Sequence, residues 1–269
     1  MEVFLETTTI LAGASGSGKT TFGFQFTSQG VLDGKKSIFC SLEESPNEIR
    51  IMAKSLGIDV NTLEKKGLYL LSWTPENQSP DAFISELAEK IETIRPKLLV
   101  IDGLSTIQHL YSEDMYSIAN RLVNLTETHG ITSIFTYLTE QEAGATVTSH
   151  GIFSIFHNII LLRYVEAEGQ LKRSMLILKM RASSHDQSIL QIAIQNKIGI
   201  KIIGDMKDYE GILTGVAKKV YQKYLEDEKK IDEKETRDRQ RRRSDMNVHQ
   251  KKTAQQRKRA KLGRKRNRI

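Results

Sequence analysis

The residues best suited to chemistry stand near the start of the chain, in Gly13-Ala14-Ser15-Gly16-Ser17-Gly18-Lys19-Thr20. They fit G-x-x-x-x-G-K-[ST], a phosphate-binding loop. Gly13, Gly16 and Gly18 free the backbone to curl, so that N–H groups, including those of Ser15 and Ser17, converge on phosphate oxygens. Lys19 is expected to meet β- and γ-phosphates, and Thr20 to hold Mg²⁺ through its hydroxyl, with Thr21 behind it as a further nucleotide contact. A nucleotide with Mg²⁺ is therefore the expected ligand. An acid fits the same site. Lys97-Leu98-Leu99-Val100-Ile101-Asp102 is an apolar run ending in a carboxylate, and Asp102 at the end of a buried strand can orient Mg²⁺ beside phosphates. Glu43 and Glu44 follow another apolar run. By position they can polarise an attacking water, or simply be acids favoured by the dipole of the next helix.

These residues need strands ending at one edge. The loop requires a strand before it (Thr8–Ala12) and a helix after it, as Thr21-Phe22-Gly23-Phe24-Gln25-Phe26 suggests. Ser37–Ser41 reads as the next strand. Ser45, Pro46 and Glu48 open a helix as N-cap, first-turn proline and capping box, and Gly57 closes it. Asp81–Ile94 is amphipathic, with Phe83, Leu87, Ile91 and Ile94 on one face. A helix over about Tyr116–His129 and a strand at Thr132–Thr136 follow. The alternation predicts an α/β fold with a mainly parallel sheet and helices on both faces. Asn158–Tyr164, Arg173–Met180 and Ser188–Ile194 read as an antiparallel extension. Lys179 and Arg181, two apart on a strand, share a face. Taken alone they describe a solvated edge strand, where such charges deter aggregation.

Charge divides the chain. Residues 216–269 carry 21 Lys and Arg against 8 Asp and Glu, while residues 1–215 carry 19 against 25. The expected organisation is a nucleotide-binding domain over 1–215 and a basic tail over 216–269, helical at first and then too polar to fold alone. The tail's charge suits nucleic acid backbone or an acidic protein partner. No apolar run approaches the ~20 residues of a membrane span, and no secretory leader is evident, so a cytoplasmic protein without membrane contact is expected. Cys40, the single cysteine, is expected to be a buried structural thiol.

Several stretches together resemble the KaiC family of clock ATPases and autokinases, within the RecA-like P-loop proteins. They are the loop at 13–20, Glu43-Glu44-Ser45-Pro46, Val100-Ile101-Asp102, Ile160-Leu161-Leu162-Arg163-Tyr164-Val165-Glu166, and Lys179-Met180-Arg181-Ala182-Ser183-Ser184-His185-Asp186. The last two look closer to the family's autokinase domain. The resemblance covers about residues 3–215. It implies a RecA-like fold and a homo-oligomer, a hexameric ring with ATP between subunits. It also implies Glu43 as catalytic base with Glu44 in support, and Lys179 and Arg181 acting in trans on a neighbour's γ-phosphate. Met180, Ser183 and His185 would contact nucleotide along that face, and Ser55 would lie near the adenine. Phe153 and Ser154 stand where the autokinase domain carries adjacent hydroxyl acceptors, so one acceptor remains. The expected function is an ATPase that uses ATP as a switch. The alternatives are a DNA-associated recombinase-like ATPase, a Ser/Thr autokinase, and a nucleotide-binding signalling module.

Overall fold

The computed structural model describes residues 6–74, 79–139, 149–167, 169–181 and 188–206. Its centre is a nine-stranded sheet. Five strands form the parallel part: β1 (Thr8–Gly13), β2 (Ser37–Ser41), β3 (Leu68–Ser72), β4 (Leu98–Asp102) and β5 (Thr132–Leu138). Four more continue it: β6 (Asn158–Ala167), β7 (Gln170–Met180), β8 (Leu190–Gln195) and β9 (Gly199–Asp205). The order is β3-β2-β4-β5-β1-β6-β7-β8-β9. β6 pairs parallel to β1, and from there each strand is antiparallel to its neighbour. The expected α/β architecture with an antiparallel extension is thus found. Every residue of β1, β2 and β4 is buried, as strands covered on both faces require.

The helices form two groups. α1 (Lys19–Leu32) lies over β2, β4 and β5 and meets α3 (Val60–Lys66), which also touches α2 (Pro46–Ser55). α4 (Pro80–Ile94) packs on α6 (Met115–Thr128), which covers β1 and β5 beside the short α5 (Leu104–Leu110). Strand alternation separates the two layers. Leu11, Phe39, Val100 and Ile134 join Phe24 and Val31 of α1 in one cluster. Phe135, the next residue on β5, instead turns to Phe156, with ring centroids 5.2 Å apart. Close approach on the α1 side explains two glycines. A Cβ on Gly23 would come within 2.9 Å of Val100, and one on Gly30 within 2.0 Å of Leu98.

Local signals translated directly. Ser45 caps α2 with a complete capping box to Glu48. α4 buries Phe83, Leu87, Ile91 and Ile94. α3, β3, α5, β9 and a 3-10 helix over Ser149–Ile155 form without a distinct local pattern in the sequence. Among the described residues, no helix is long and apolar enough to cross a membrane. Ser183, His185 and the basic tail lie outside the described residues.

Candidate functional site

The phosphate loop leaves β1 at Gly13 and enters α1 at Lys19. Gly13 cannot carry a side chain, because a Cβ would lie 2.5 Å from the Leu162 carbonyl and 2.7 Å from Ser17 Oγ. Gly16 and Gly18 have φ of 72° and 107°, the left-handed region that favours glycine. Gly18 caps α1 without a side-chain bond, and no acid occupies the first turn. The first N–H groups of the helix are therefore free to meet an anion. Ser17 Oγ is the buried side-chain polar atom without a hydrogen-bond partner among the described residues. It packs against Gly13, 2.7 Å from where a Cβ on that residue would stand. Lys19 Nζ donates to the Gly13 and Ala14 carbonyls, both at 2.9 Å. Burial lowers its pKa, while Asp102 and Glu43 pull it back up.

Register brings the acids to the same edge. Ser41, the last residue of β2, pairs with Asp102, the last of β4, and Gly13 pairs with Leu138 of β5. Asp102 is 2 % exposed. Burial pushes its pKa up, opposed by hydroxyl bonds from Thr136 and Thr20. Thr136 Oγ1 donates to Asp102 Oδ1 at 2.6 Å and accepts from the Gly103 N–H at 2.8 Å. Thr20 and Asp102, the two expected metal residues, are therefore in contact. Among the described residues, no cluster of three or more His, Cys, Asp or Glu is arranged to hold a metal. A hydroxyl beside one carboxylate matches the sparse protein ligation of Mg²⁺, which takes its remaining ligands from phosphates and water.

Glu43 and Glu44 leave β2 through a turn in which Ser41 Oγ accepts both of their N–H groups, at 3.3 and 2.8 Å. Glu43 is exposed, and its Oε1 accepts from Thr106 Oγ1 at 2.9 Å. Glu44 has a raised pKa from partial burial and then from Asp102, Glu48 and Glu43. Negative charge is thus concentrated opposite Lys19, a setting a divalent cation would relieve.

Lys179 and Arg181 lie elsewhere. Lys179 pairs with Ile159, and Ile159 with Ile10, three residues before Gly13. Three residues of strand span roughly 10 Å, toward the sheet edge opposite the phosphate loop. Met180 pairs with Asn158, one step further away. Lys179 Nζ donates to the Phe156 carbonyl at 3.1 Å and Arg181 Nη2 to the Ser154 carbonyl at 3.4 Å. Both cations are therefore tied to one segment, 154–156. Ser55 is exposed at the end of α2, with its hydroxyl on the Met52 carbonyl and its own carbonyl accepting from Lys197 N–H. Ser15 is exposed on the loop, and Thr21 is half-buried in α1.

Contacts distant in sequence also surround the loop. Tyr164 Oη donates to the Gly16 carbonyl at 2.6 Å and Arg173 Nε to the same carbonyl at 3.3 Å, with the guanidinium 5.3 Å from the Tyr164 ring centroid. β8 and β9 also reach the loop: a Cβ on Gly18 would come within 2.8 Å of Ile194. Gln25 of α1 brackets Ile200, accepting from its N–H at 2.8 Å and donating to its carbonyl at 3.4 Å. Tyr164 lies in a stretch singled out from sequence, but its partner is 148 residues away and leaves no local trace.

Comparison with known proteins places this geometry in context. The family described as "ATPase: KaiC" matches residues 3–207. The chain is 33 % identical over 216 residues to the circadian clock oscillator protein KaiC of Parathermosynechococcus lividus, covering 79 % of this chain and 40 % of that one. It is 30 % identical over 217 residues to the circadian clock protein KaiC3 of Synechocystis sp., covering 79 % and 42 %. The chain thus spans about two fifths of the length of these relatives. Among solved structures, the crystal structure of a KaiC-like protein from Pyrococcus horikoshii OT3 is similar at a TM-score of 0.66 and 28 % identity, covering 74 % of this chain and 89 % of that one.

Proposed function

The chain belongs to the KaiC-like ATPase family, and on that premise we propose that it binds ATP with Mg²⁺ and hydrolyses it at the subunit interfaces of a homo-oligomeric ring, using nucleotide state as a switch. The observation that carries this reading is the division of charges across the sheet. The edge at Gly13 gathers Lys19, Thr20, Asp102, Glu43 and Glu44, while Lys179 and Arg181 stand toward the other edge. A subunit cannot bring those cations to its own phosphates, but a neighbour stacked edge to edge can receive them.

In this reading the loop N–H groups and Lys19 bind the β- and γ-phosphates. Thr20 and Asp102 hold Mg²⁺, which supplies charge neutralisation on the phosphates. Thr136 fixes the Asp102 carboxylate through its hydroxyl. Glu43 takes a proton from the attacking water, and Glu44 keeps the field negative around it. Lys179 and Arg181 stabilise charge on a neighbour's γ-phosphate, as arginine fingers do. Ser183 and His185, outside the described residues, are proposed as further nucleotide contacts beside Met180, and Ser55 as a contact near the adenine.

The test is complementation between subunits. Glu43→Gln and Arg181→Ala are each expected to lower phosphate release by at least ~100-fold, within the range of a general base and of a finger. Mixed, they should recover part of the activity, since some interfaces pair an intact base with an intact cation. Mixed rings without recovery would refute action in trans. The charge of residues 216–269 favours one addition: the tail holds nucleic acid backbone or an acidic protein. Deleting it should abolish any low-salt DNA binding and leave basal ATP hydrolysis intact; equal DNA binding by the truncated chain would refute this role.

A further inference from the structure

The Glu43 side chain sits in a cradle built from three elements. Ser41, ending β2, anchors its backbone by accepting the Glu43 and Glu44 N–H groups. Gly103, just after β4, forms the floor. A Cβ there would come within 2.8 Å of Glu43 Cγ, 3.0 Å of Cδ and 3.1 Å of Oε1, so the carboxylate lies directly on bare backbone. Gly103 has φ 97°, which any other residue would adopt only under strain. Thr106, in the first turn of α5, closes the side with its hydroxyl on Glu43 Oε1 at 2.9 Å. α5 is itself tied to the site, since Ser105 Oγ accepts the Leu138 N–H at the end of β5. Gly103 N–H in turn donates to the same Thr136 that holds Asp102.

We infer that Thr106 is a positioning residue for hydrolysis, holding the Glu43 carboxylate through Oε1 so that Oε2 faces the attacking water, with Gly103 providing the space. The inference rests on Glu43 being the base. An exposed glutamate has three free torsions, and its rotamer freedom opposes any single aim. A hydroxyl donor on one oxygen removes that freedom and leaves the other oxygen as proton acceptor, the same division of labour by which a third group orients a catalytic base. Because the Thr106 hydroxyl grips a Glu43 oxygen and, among the described residues, bonds none of Lys19, Thr20 or Asp102, its effect belongs to turnover and not to nucleotide binding.

The experiment measures phosphate release and the affinity for N-methylanthraniloyl-ATP in Thr106→Val, Thr106→Ser, Glu43→Gln and the Thr106→Val/Glu43→Gln double variant of the full chain. Thr106→Val, isosteric but without the donor, should lower kcat about tenfold, a part of the ~10²–10⁴ that a general base supplies, with nucleotide affinity unchanged within twofold. Thr106→Ser restores the donor and should recover kcat, which also separates loss of the hydroxyl from loss of folding. On the Glu43→Gln background, Thr106→Val should add no further loss, since residues acting as one unit are not additive. Glu43→Gln inactive with Thr106→Val at wild-type kcat overturns the inference alone. Glu43→Gln at wild-type kcat overturns the base assignment and the inference with it. An equal loss from Thr106→Val on both backgrounds, or a parallel loss of nucleotide affinity, overturns action through Glu43.

Discussion

The parallel and antiparallel parts of the sheet carry their charges in opposite ways. In the parallel part, Lys19 and Asp102 are held between buried strand ends, and their partners are other site groups: loop carbonyls, Thr20 and Thr136. In the antiparallel part, Lys179 and Arg181 rest on the carbonyls of segment 154–156. β9 runs along the rim, with Ile202 54 % exposed. One part gathers Lys19, Thr20 and Asp102 beside the glycine-rich loop. The other presents Lys179 and Arg181 away from its own phosphate loop, while Arg173, at the start of β7, reaches that loop at the Gly16 carbonyl. The difference teaches that chemistry on a sheet follows strand direction: parallel strands collect functional ends at one edge, whereas a strand that runs back delivers its end to the other.

The sharpest way to break this contrast is through Lys19. Lys19→Ala removes the phosphate cation and is expected to weaken ATP binding at least ~100-fold, as for loss of a charged partner facing an anion. Isothermal titration with ATP checks it, and Arg181→Ala should retain binding in the same assay. Packing provides the next contrast. Leu99 of β4 is fully buried, and Leu99→Ala is expected to cost about 2–5 kcal/mol. Ile202→Ala on β9 should stay within about 0.5 kcal/mol. Urea unfolding of both variants measures the gap, and equal losses would remove the distinction between a closed core and an open rim.

A smaller effect involves His157, where the two parts join. Its Nδ1 accepts from Thr8 N–H at 3.2 Å, which requires an unprotonated nitrogen. Burial lowers its pKa, and Arg181 and Lys179 add to that, while Glu127, 3.4 Å away, opposes it. The folded value therefore lies below the unfolded one. The unfolded chain takes the proton first, so this contribution is present above the unfolded value, about 6.5, and is lost as pH falls through the folded value. His157→Gln should reduce the loss of melting temperature between pH 7.5 and 5.5 relative to the parent chain. An unchanged pH response would refute it. The smallest expected effect is chemical. Burial, with Glu86 and Asp102, pushes the Cys40 thiol up to about 12, so the thiolate is scarce. Iodoacetamide should label Cys40 only on unfolding, and rapid labelling of the folded chain would contradict its burial.

The sequence by itself determined whatever is written in adjacent residues. The loop at 13–20, the capping box at Ser45 and Glu48, the apolar face of α4 and the acid ending β4 each act through neighbours within a few positions. Their physics survives without the rest of the fold. Short elements escaped for the complementary reason. Seven residues at α3 and α5, and the five of β3, hold too little periodicity to separate helix from strand. Gly-Ile-Lys-Ile-Ile-Gly-Asp at β9 mixes polar and apolar residues because it lies at the rim. Tertiary structure alone decided the strand order and the register, and with them the distance of Lys179 from Gly13. It also decided which hydroxyl serves which acid: Thr136 for Asp102, 34 residues away, and Thr106 for Glu43, 63 away. Such pairings arise when strands close on one another across long loops, and a single hydrogen bond at that separation imposes no pattern on the residues between.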